Sequence, residues 1–234
     1  ALPLGDVLAG AAFGTLVHGV LERIDPASAS LESDLAVEVE RALRRDRLDV
    51  DGPVLVAGLA AAMRTPLGPI AGGLRLVDVG TRDRLTELDV DLPLCSTADR
   101  FPVSAIGEVL LDTIDPDDPQ RPYAEELAAG RFELELAGFL QGSVDAVLRV
   151  PGDATGDPDG HRYLVVDYKT NRLHARGAVD PMAAYRADAL PAVMAQSDYV
   201  LQALLYSVAV HRMLRWRLAG YEPDRHLGGI AYLF

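Results

Sequence analysis

One lysine, one cysteine and no long apolar run set this 234-residue chain apart by what it lacks. A lone cysteine, Cys95, excludes an internal disulfide, and it excludes a four-cysteine zinc or iron–sulfur site within the chain. No stretch approaches the roughly 20 apolar residues that span a bilayer, so no membrane role is expected. The opening "ALPLGDVLAG" lacks the basic segment of a signal peptide, and the expected compartment is the cytoplasm. Positive charge is also scarce. A net charge of −13 argues against broad, non-specific binding to nucleic acid, because carboxylates repel a phosphate backbone. Arginine supplies the cations: of 22 lysines and arginines, only Lys169 is lysine. Its predecessor is Tyr168, not glycine, which excludes a Walker A ATPase loop.

Hydrophobic residues make up 49% of the chain, enough for a sizeable core. The length fits one large domain or two small ones, and a single domain over 1–234 is the expectation adopted here. In "LAGAAFGTLVHGVLERI" (8–24), Leu16, Val17, Val20, Leu21 and Ile24 recur at helical spacing. "SLESDLAVEVERALRRD" (30–46) reads as a second helix, with Ser30 and Ser33 as candidate N-caps. "GPVLVAGLAAAMRTPLG" (52–68) reads as a third, stopped by Pro66 and Gly68. The part up to about residue 70 is therefore expected to be helical, with a strand-bearing core over about 80–234.

"RLTELDVDLPL" (84–94) alternates apolar and polar residues, as a half-buried strand does. "DPDDPQRPY" (115–123) reads as a loop and "RFELELAGF" (131–139) as a strand. "QGSVDAVLRV" (141–150) and "HRYLVVDYKT" (161–170) flank the turn-rich "PGDATGDPDG", the pattern of an antiparallel hairpin. "AQSDYVLQALLYSVAVHRMLRWRLAG" (195–220) reads as one long helix and "GGIAYLF" (228–234) as a final strand. The fold class is α/β, with a central mixed sheet flanked by helices.

The hairpin carries the chemistry. Asp145 and Asp167 lie on its two strands and can meet near one end. Two carboxylates held close repel each other unless a cation lies between them, and oxygen donors suit Mg²⁺. Lys169 is two residues beyond Asp167 and leaves the same face of the strand. A solvated surface strand would give the same spacing. Against that, "YLVVDY" is apolar on both sides of Asp167, where an unpaired carboxylate is costly. The chain also uses lysine nowhere else, and a lysine is a compact point charge where arginine is a planar fork.

"GSVDAVLRV" and "YLVVDYKTN" together resemble the PD-(D/E)xK nuclease core, an Asp on one strand followed by Asp–x–Lys on the next. The flanks "AFGTLVHGVLE" (12–22), "YVLQALLYSVAVHRMLRWRLAGY" (199–221) and "HLGGIAYLF" (226–234) resemble the nuclease domain of the RecB subunit in RecBCD-type helicase–nucleases, also called exodeoxyribonuclease V. The resemblance spans Ala12 to Phe234, although roughly 30–80 and 95–130 match poorly.

The resemblance implies a restriction-endonuclease-like core and a Mg²⁺-dependent exodeoxyribonuclease acting in DNA repair. Mn²⁺ or Ca²⁺ is expected to substitute for Mg²⁺ in binding. It implies His18, Asp145, Asp167 and the Tyr168 backbone carbonyl as metal ligands, with Lys169 as the catalytic lysine. Gln202 and Tyr206, four apart on one helix face, would contact the DNA backbone or support the site. Glu87 would fill an acidic position on the first core strand, with Asp89 competing for it. Arg172 and Arg176, just past the lysine motif, are candidates for attracting DNA. Implied partners are single-stranded DNA, helicase domains of the same full-length chain, and RecC- and RecD-type subunits. The absent motor domains imply a C-terminal piece of such a protein. The alternative is a nuclease-fold scaffold that has lost catalysis and guides DNA or binds partner subunits.

Overall fold

The computed structural model describes residues 4–5, 7, 10–94, 99–152, 160–175 and 177–234. Cys95, Arg176 and most of the turn-rich 151–160 stretch lie outside the described residues. The chain forms two compact units. The first comprises Ala1–Leu88, Val144–Tyr185 and Val210–Phe234, and the second Asp89–Ser143 and Arg186–Ala209.

The first unit opens with α1 (Ala11–Arg23), α2 (Leu31–Asp46) and α3 (Gly52–Met63). α1 buries Phe13, Leu16, Val17, Val20 and Leu21, one continuous stripe at helical period. α2 buries Leu31, Leu35, Val39 and Ala42. Ser30 stands at its N-cap position, but the Ser30 hydroxyl bonds the Asp34 carboxylate instead of a backbone N–H. α3 is capped by Asp51, whose carboxylate accepts the Val54 N–H at 3.0 Å.

The remaining elements are β1 (Arg84–Pro93), β2 (Phe101–Pro102), α4 (Ser104–Thr113), α5 (Arg121–Ala128), β3 (Glu135–Leu136), β4 (Phe139–Pro151), β5 (His161–Tyr168), α6 (Leu190–Gln196), α7 (Tyr199–Arg217), α8 (Pro223–His226) and β6 (Leu227–Leu233). Four strands pair in the order β1-β4-β5-β6. β4 and β5 are antiparallel, from Ala146↔Val166 to Pro151↔His161, as the hairpin reading expects. β5 and β6 are parallel, with Asp167 opposite Tyr232, so the sheet is mixed.

One face of the hairpin presents Ala146, Leu148, Val150, Leu164, Val166 and Tyr168 to the apolar stripes of α1–α3. Val147 and Val165 point the other way and are buried as well. Burial on both faces explains why "YLVV" reads as an unbroken apolar run. Each fully buried Leu or Val contributes on the order of 2 kcal/mol. Among the described residues no helix is long and apolar enough to cross a membrane.

The second unit departs from the sequence expectation. Of the expected strand 131–139, Glu135 and Leu136 pair with Phe101–Pro102, and Phe139 opens β4. Phe132 and Leu136 instead pack on the small core of Val103, Tyr123 and Leu127, and Gly138 takes a left-handed turn at φ 76°. Helices α4 and α5 were not anticipated, and the expected loop 115–123 ends where α5 begins at Arg121.

The long helix expected over 195–220 is broken. Asp198 adopts φ 56° between α6 and α7. Its carboxylate accepts the Tyr123 hydroxyl at 3.2 Å and Arg131 Nε at 3.0 Å. Aspartate tolerates the left-handed region better than most residues. Burial, with Asp198 beside it, pushes the Tyr123 phenol up to about 12. Asp198→Ala is expected to cost roughly 1–3 kcal/mol, because the phenol loses its acceptor. Asp198→Asn should keep most of that stability, and thermal unfolding of the two variants side by side checks it.

Candidate active site

The β4–β5 ladder ends at Ala146↔Val166. One step beyond, Asp145 Oδ2 accepts the Tyr168 N–H at 2.8 Å, so a side-chain carboxylate replaces a backbone acceptor where the strands part. Asp145 is thereby oriented by the fold itself.

His18 reaches the same place from α1. The helix passes close to the chain leaving β5, since a Cβ on Gly14 would lie 3.0 Å from Thr170 Oγ1. His18, four residues on, shares that face of the helix. Its Nδ1 is 3.3 Å from Asp145 Oδ1, and its ring meets the Tyr168 ring edge-on, with centroids 6.1 Å apart. The hydrogen bond that the ring donates to Asp145 raises the imidazole pKa above its ordinary value, against the opposing effect of burial. The charges of Asp145 and Asp167 and the Tyr168 backbone add to the rise. Burial pushes the Tyr168 phenol up to about 12, so this side chain exchanges no proton near neutral pH.

Glu87 completes the cluster. His18, Glu87 and Asp145 each offer a donor atom, and these atoms all lie within 4.8 Å of one another. Glu87 takes φ 48°, a conformation that disfavours a side-chain-bearing residue by roughly 1–2 kcal/mol. Strain of this kind collects at functional sites. Two carboxylates and an imidazole make a donor set that fits a divalent cation, which would bind the neutral imidazole in place of the proton that the carboxylates attract. The three residues line a cleft of about 570 Å³.

Asp167 is almost fully buried, and its Oδ2 lies 2.6 Å from Lys169 Nζ. Lys169 continues the β5–β6 pairing by donating its N–H to the Leu233 carbonyl at 2.7 Å. Its ammonium also sits 5.2 Å from the centroid of the Tyr232 ring, within cation–π range. Lysine is thus held between a carboxylate and an aromatic face, with 12% of its side chain exposed.

The other sequence candidates are placed as follows. Arg172 Nη2 donates to the Val7 carbonyl at 2.6 Å and ties distant parts of the first unit together. Gln202 and Tyr206 belong to the second unit, where Gln202 Nε2 donates to Tyr206 Oη at 3.0 Å. Asp89 is not in the cluster with Glu87. Tyr232 escaped the sequence reading, because nothing in "AYLF" marks a ring beside a lysine that lies three helices upstream.

Known proteins match this chain along nearly its whole length. A model of the PD-(D/E)XK nuclease superfamily matches residues 4–233. The chain is 46% identical over 242 residues to a Mycobacterium tuberculosis protein named RecBCD enzyme subunit RecB. It is 43% identical over 237 residues to the Mycolicibacterium smegmatis protein of that name, and 30% identical over 234 residues to the Escherichia coli one. These alignments cover 99%, 99% and 96% of this chain, but only 21%, 21% and 16% of the relatives, so the chain spans about a fifth of their length. The mixed sheet with its flanking helices is the restriction-endonuclease-like fold, and a family match running from residue 4 to 233 takes in both units. The chain belongs to the PD-(D/E)XK nuclease superfamily.

Proposed function

We propose that this chain is a metal-dependent nuclease domain that hydrolyses DNA phosphodiester bonds exonucleolytically, within a RecBCD-type helicase–nuclease that acts in double-strand break repair and DNA degradation. The observation that carries the reading is the convergence of His18, Glu87 and Asp145 beside the Asp167–Lys169 pair. His18, Glu87 and Asp145 would hold the ion, with Asp167 and the Tyr168 carbonyl completing the set, and Mg²⁺ is the cation this oxygen-rich set suits. A bound divalent cation lowers the pKa of a water and polarises a phosphoryl oxygen.

The protein's own groups do the rest. Asp145, fixed by the Tyr168 N–H, orients its free oxygen toward His18. Lys169 presents a fixed ammonium to the negative charge that develops on the phosphate, a preorganised contact that needs no rearrangement during reaction. Gln202 and Tyr206, a hydrogen-bonded pair on α7, would contact the DNA backbone.

The partners follow from charge and from the relatives' names. At −13, the chain has little field with which to capture DNA. A strand delivered by helicase domains of the full-length chain, alongside RecC- and RecD-type subunits, removes that need. The relatives' name, RecBCD enzyme subunit RecB, supports such an assembly.

The test is cleavage of an end-labelled single strand by the full-length gene product. Cleavage should require Mg²⁺ or Mn²⁺ and stop with chelator. Glu87→Gln should weaken calorimetric Mn²⁺ binding by about tenfold or more with little change in melting temperature. Cleavage that persists in chelator, or Mn²⁺ binding indifferent to Glu87→Gln, would overturn the reading.

A further inference from the structure

The cleft that holds His18, Glu87 and Asp145 is also lined by Arg23 and Arg45, which no motif marks. We propose that Arg45 and Arg23 form an anion subsite beside the metal cluster, and that it holds a phosphate of the DNA strand adjacent to the phosphate being cleaved. The proposal rests on the nuclease reading and names what that site grips.

Arginine in the last turn of a helix is expected from the helix dipole alone, and Arg23 and Arg45 lie in the last turns of α1 and α2. Their convergence goes beyond that. A Cβ built on Gly19 would lie 3.2 Å from Arg23 Nη1 and 3.7 Å from Arg45 Nη2. Two guanidiniums from separate helices therefore meet over the residue next to His18. Glycine leaves them room, where a Cβ would press on the tip of Arg23. The neighbouring Arg44 behaves differently: it turns back along its own helix to Glu40 and is largely exposed.

Like charges this close need an anion. Asp46 serves partly, accepting from Arg45 Nε and Nη2, each at 2.7 Å. Glu22 lies 3.8 Å from Arg23, a loose pair. Arg45 has five N–H donors, and Asp46 takes only two of them. Arg23 Nη1 is tethered to the Gly19 carbonyl at 2.7 Å, which fixes its fork over the cleft. A phosphate is the anion that a guanidinium fork fits best, through paired N–H···O bonds. Side chains 41% and 46% exposed are open to such a ligand. In an otherwise acidic chain, this arginine pair lies in the same cleft as the candidate metal site.

The experiment uses Arg45→Ala, Arg45→Gln, Arg23→Ala and Arg45→Lys in the full-length gene product. It measures single-turnover cleavage of a labelled single strand across a salt series, with Mn²⁺ calorimetry and melting alongside. Arg45→Ala and Arg45→Gln should weaken strand affinity by about tenfold, the loss of one charge-assisted contact. The log–log salt slope should become shallower by about 0.7, the value for one phosphate contact on a single strand. The rate at saturating strand should fall by no more than about threefold, and Mn²⁺ affinity should hold. Arg23→Ala should act in the same direction, and Arg45→Lys, which keeps the charge, should restore the slope.

Wild-type cleavage with an unchanged slope and affinity in Arg45→Ala and Arg45→Gln would remove the subsite and leave the nuclease reading standing. Weakened Mn²⁺ binding in those variants would also overturn it, since the arginine would then act through the metal centre. A wild type that binds Mn²⁺ but cuts no strand would bring down the nuclease reading and the subsite together.

Discussion

Lys169→Arg is expected to reduce single-turnover cleavage of a labelled single strand by roughly a hundredfold or more, while Mn²⁺ affinity and melting temperature stay near wild type. Lys169 is the only lysine of the chain, and its ammonium lies 2.6 Å from Asp167 Oδ2 and 5.2 Å from the Tyr232 ring centroid. Arginine keeps the charge, so Asp167 keeps a cation. It does not keep the position: the guanidinium is larger, planar, and directs its donors along a fixed fork. A misplacement of about 1 Å at a reacting centre can cost about a hundredfold in rate. His18, Glu87 and Asp145 are untouched, which is why metal binding should persist. Near-normal cleavage by the variant would mean that the lone lysine is an accident of arginine-rich composition.

Asp145 should separate two roles when replaced in two ways. One of its oxygens is 3.3 Å from His18, within the candidate metal cluster, and the other accepts the Tyr168 N–H at 2.8 Å. Asp145→Asn keeps an acceptor for that N–H but removes the negative charge, so metal affinity should fall at least a hundredfold with the metal-free fold intact. Asp145→Ala also strands the Tyr168 N–H, which lies at a nearly buried residue, at a cost of roughly 1–3 kcal/mol. Mn²⁺ calorimetry should therefore fail for both, and melting in chelator should fall only for alanine. Equal melting of the two variants would mean that the hydrogen bond contributes nothing to the parting of β4 and β5.

The first unit was the legible part of the sequence. α1 and α2 carry apolar stripes on a single face, while α3 and the hairpin are bounded by turn residues, so period and punctuation together recover α1, α2, α3, β4 and β5. The second unit hid because its elements are short and share a small core. Phe132 and Leu136 look like strand residues, yet they are used to cover Val103, Tyr123 and Leu127. The break at Asp198 was invisible because its cause, the Tyr123 hydroxyl and the Arg131 guanidinium, comes from far away in sequence. At the site, spacing drew attention to Asp145, Asp167 and Lys169. Spacing could not choose between Glu87 and Asp89, because the choice is made by a left-handed backbone at Glu87 that no side-chain pattern reports. The arginines of the cleft were equally silent, since they look like ordinary helix-terminal residues.

The tie between Arg172 and the Val7 carbonyl joins positions 165 residues apart, and it has a consequence for how the chain is born. At about 5–20 residues per second, a ribosome needs roughly ten to thirty seconds to travel that distance. Through that interval α1 is already outside, with Phe13 and Val17 awaiting a sheet that does not yet exist. His18 meets Asp145 only after β4 emerges, and Lys169 is seated only when Tyr232 and Leu233 follow. A nascent chain therefore carries the early pieces of the candidate site apart, and they are brought together only with the arrival of β6.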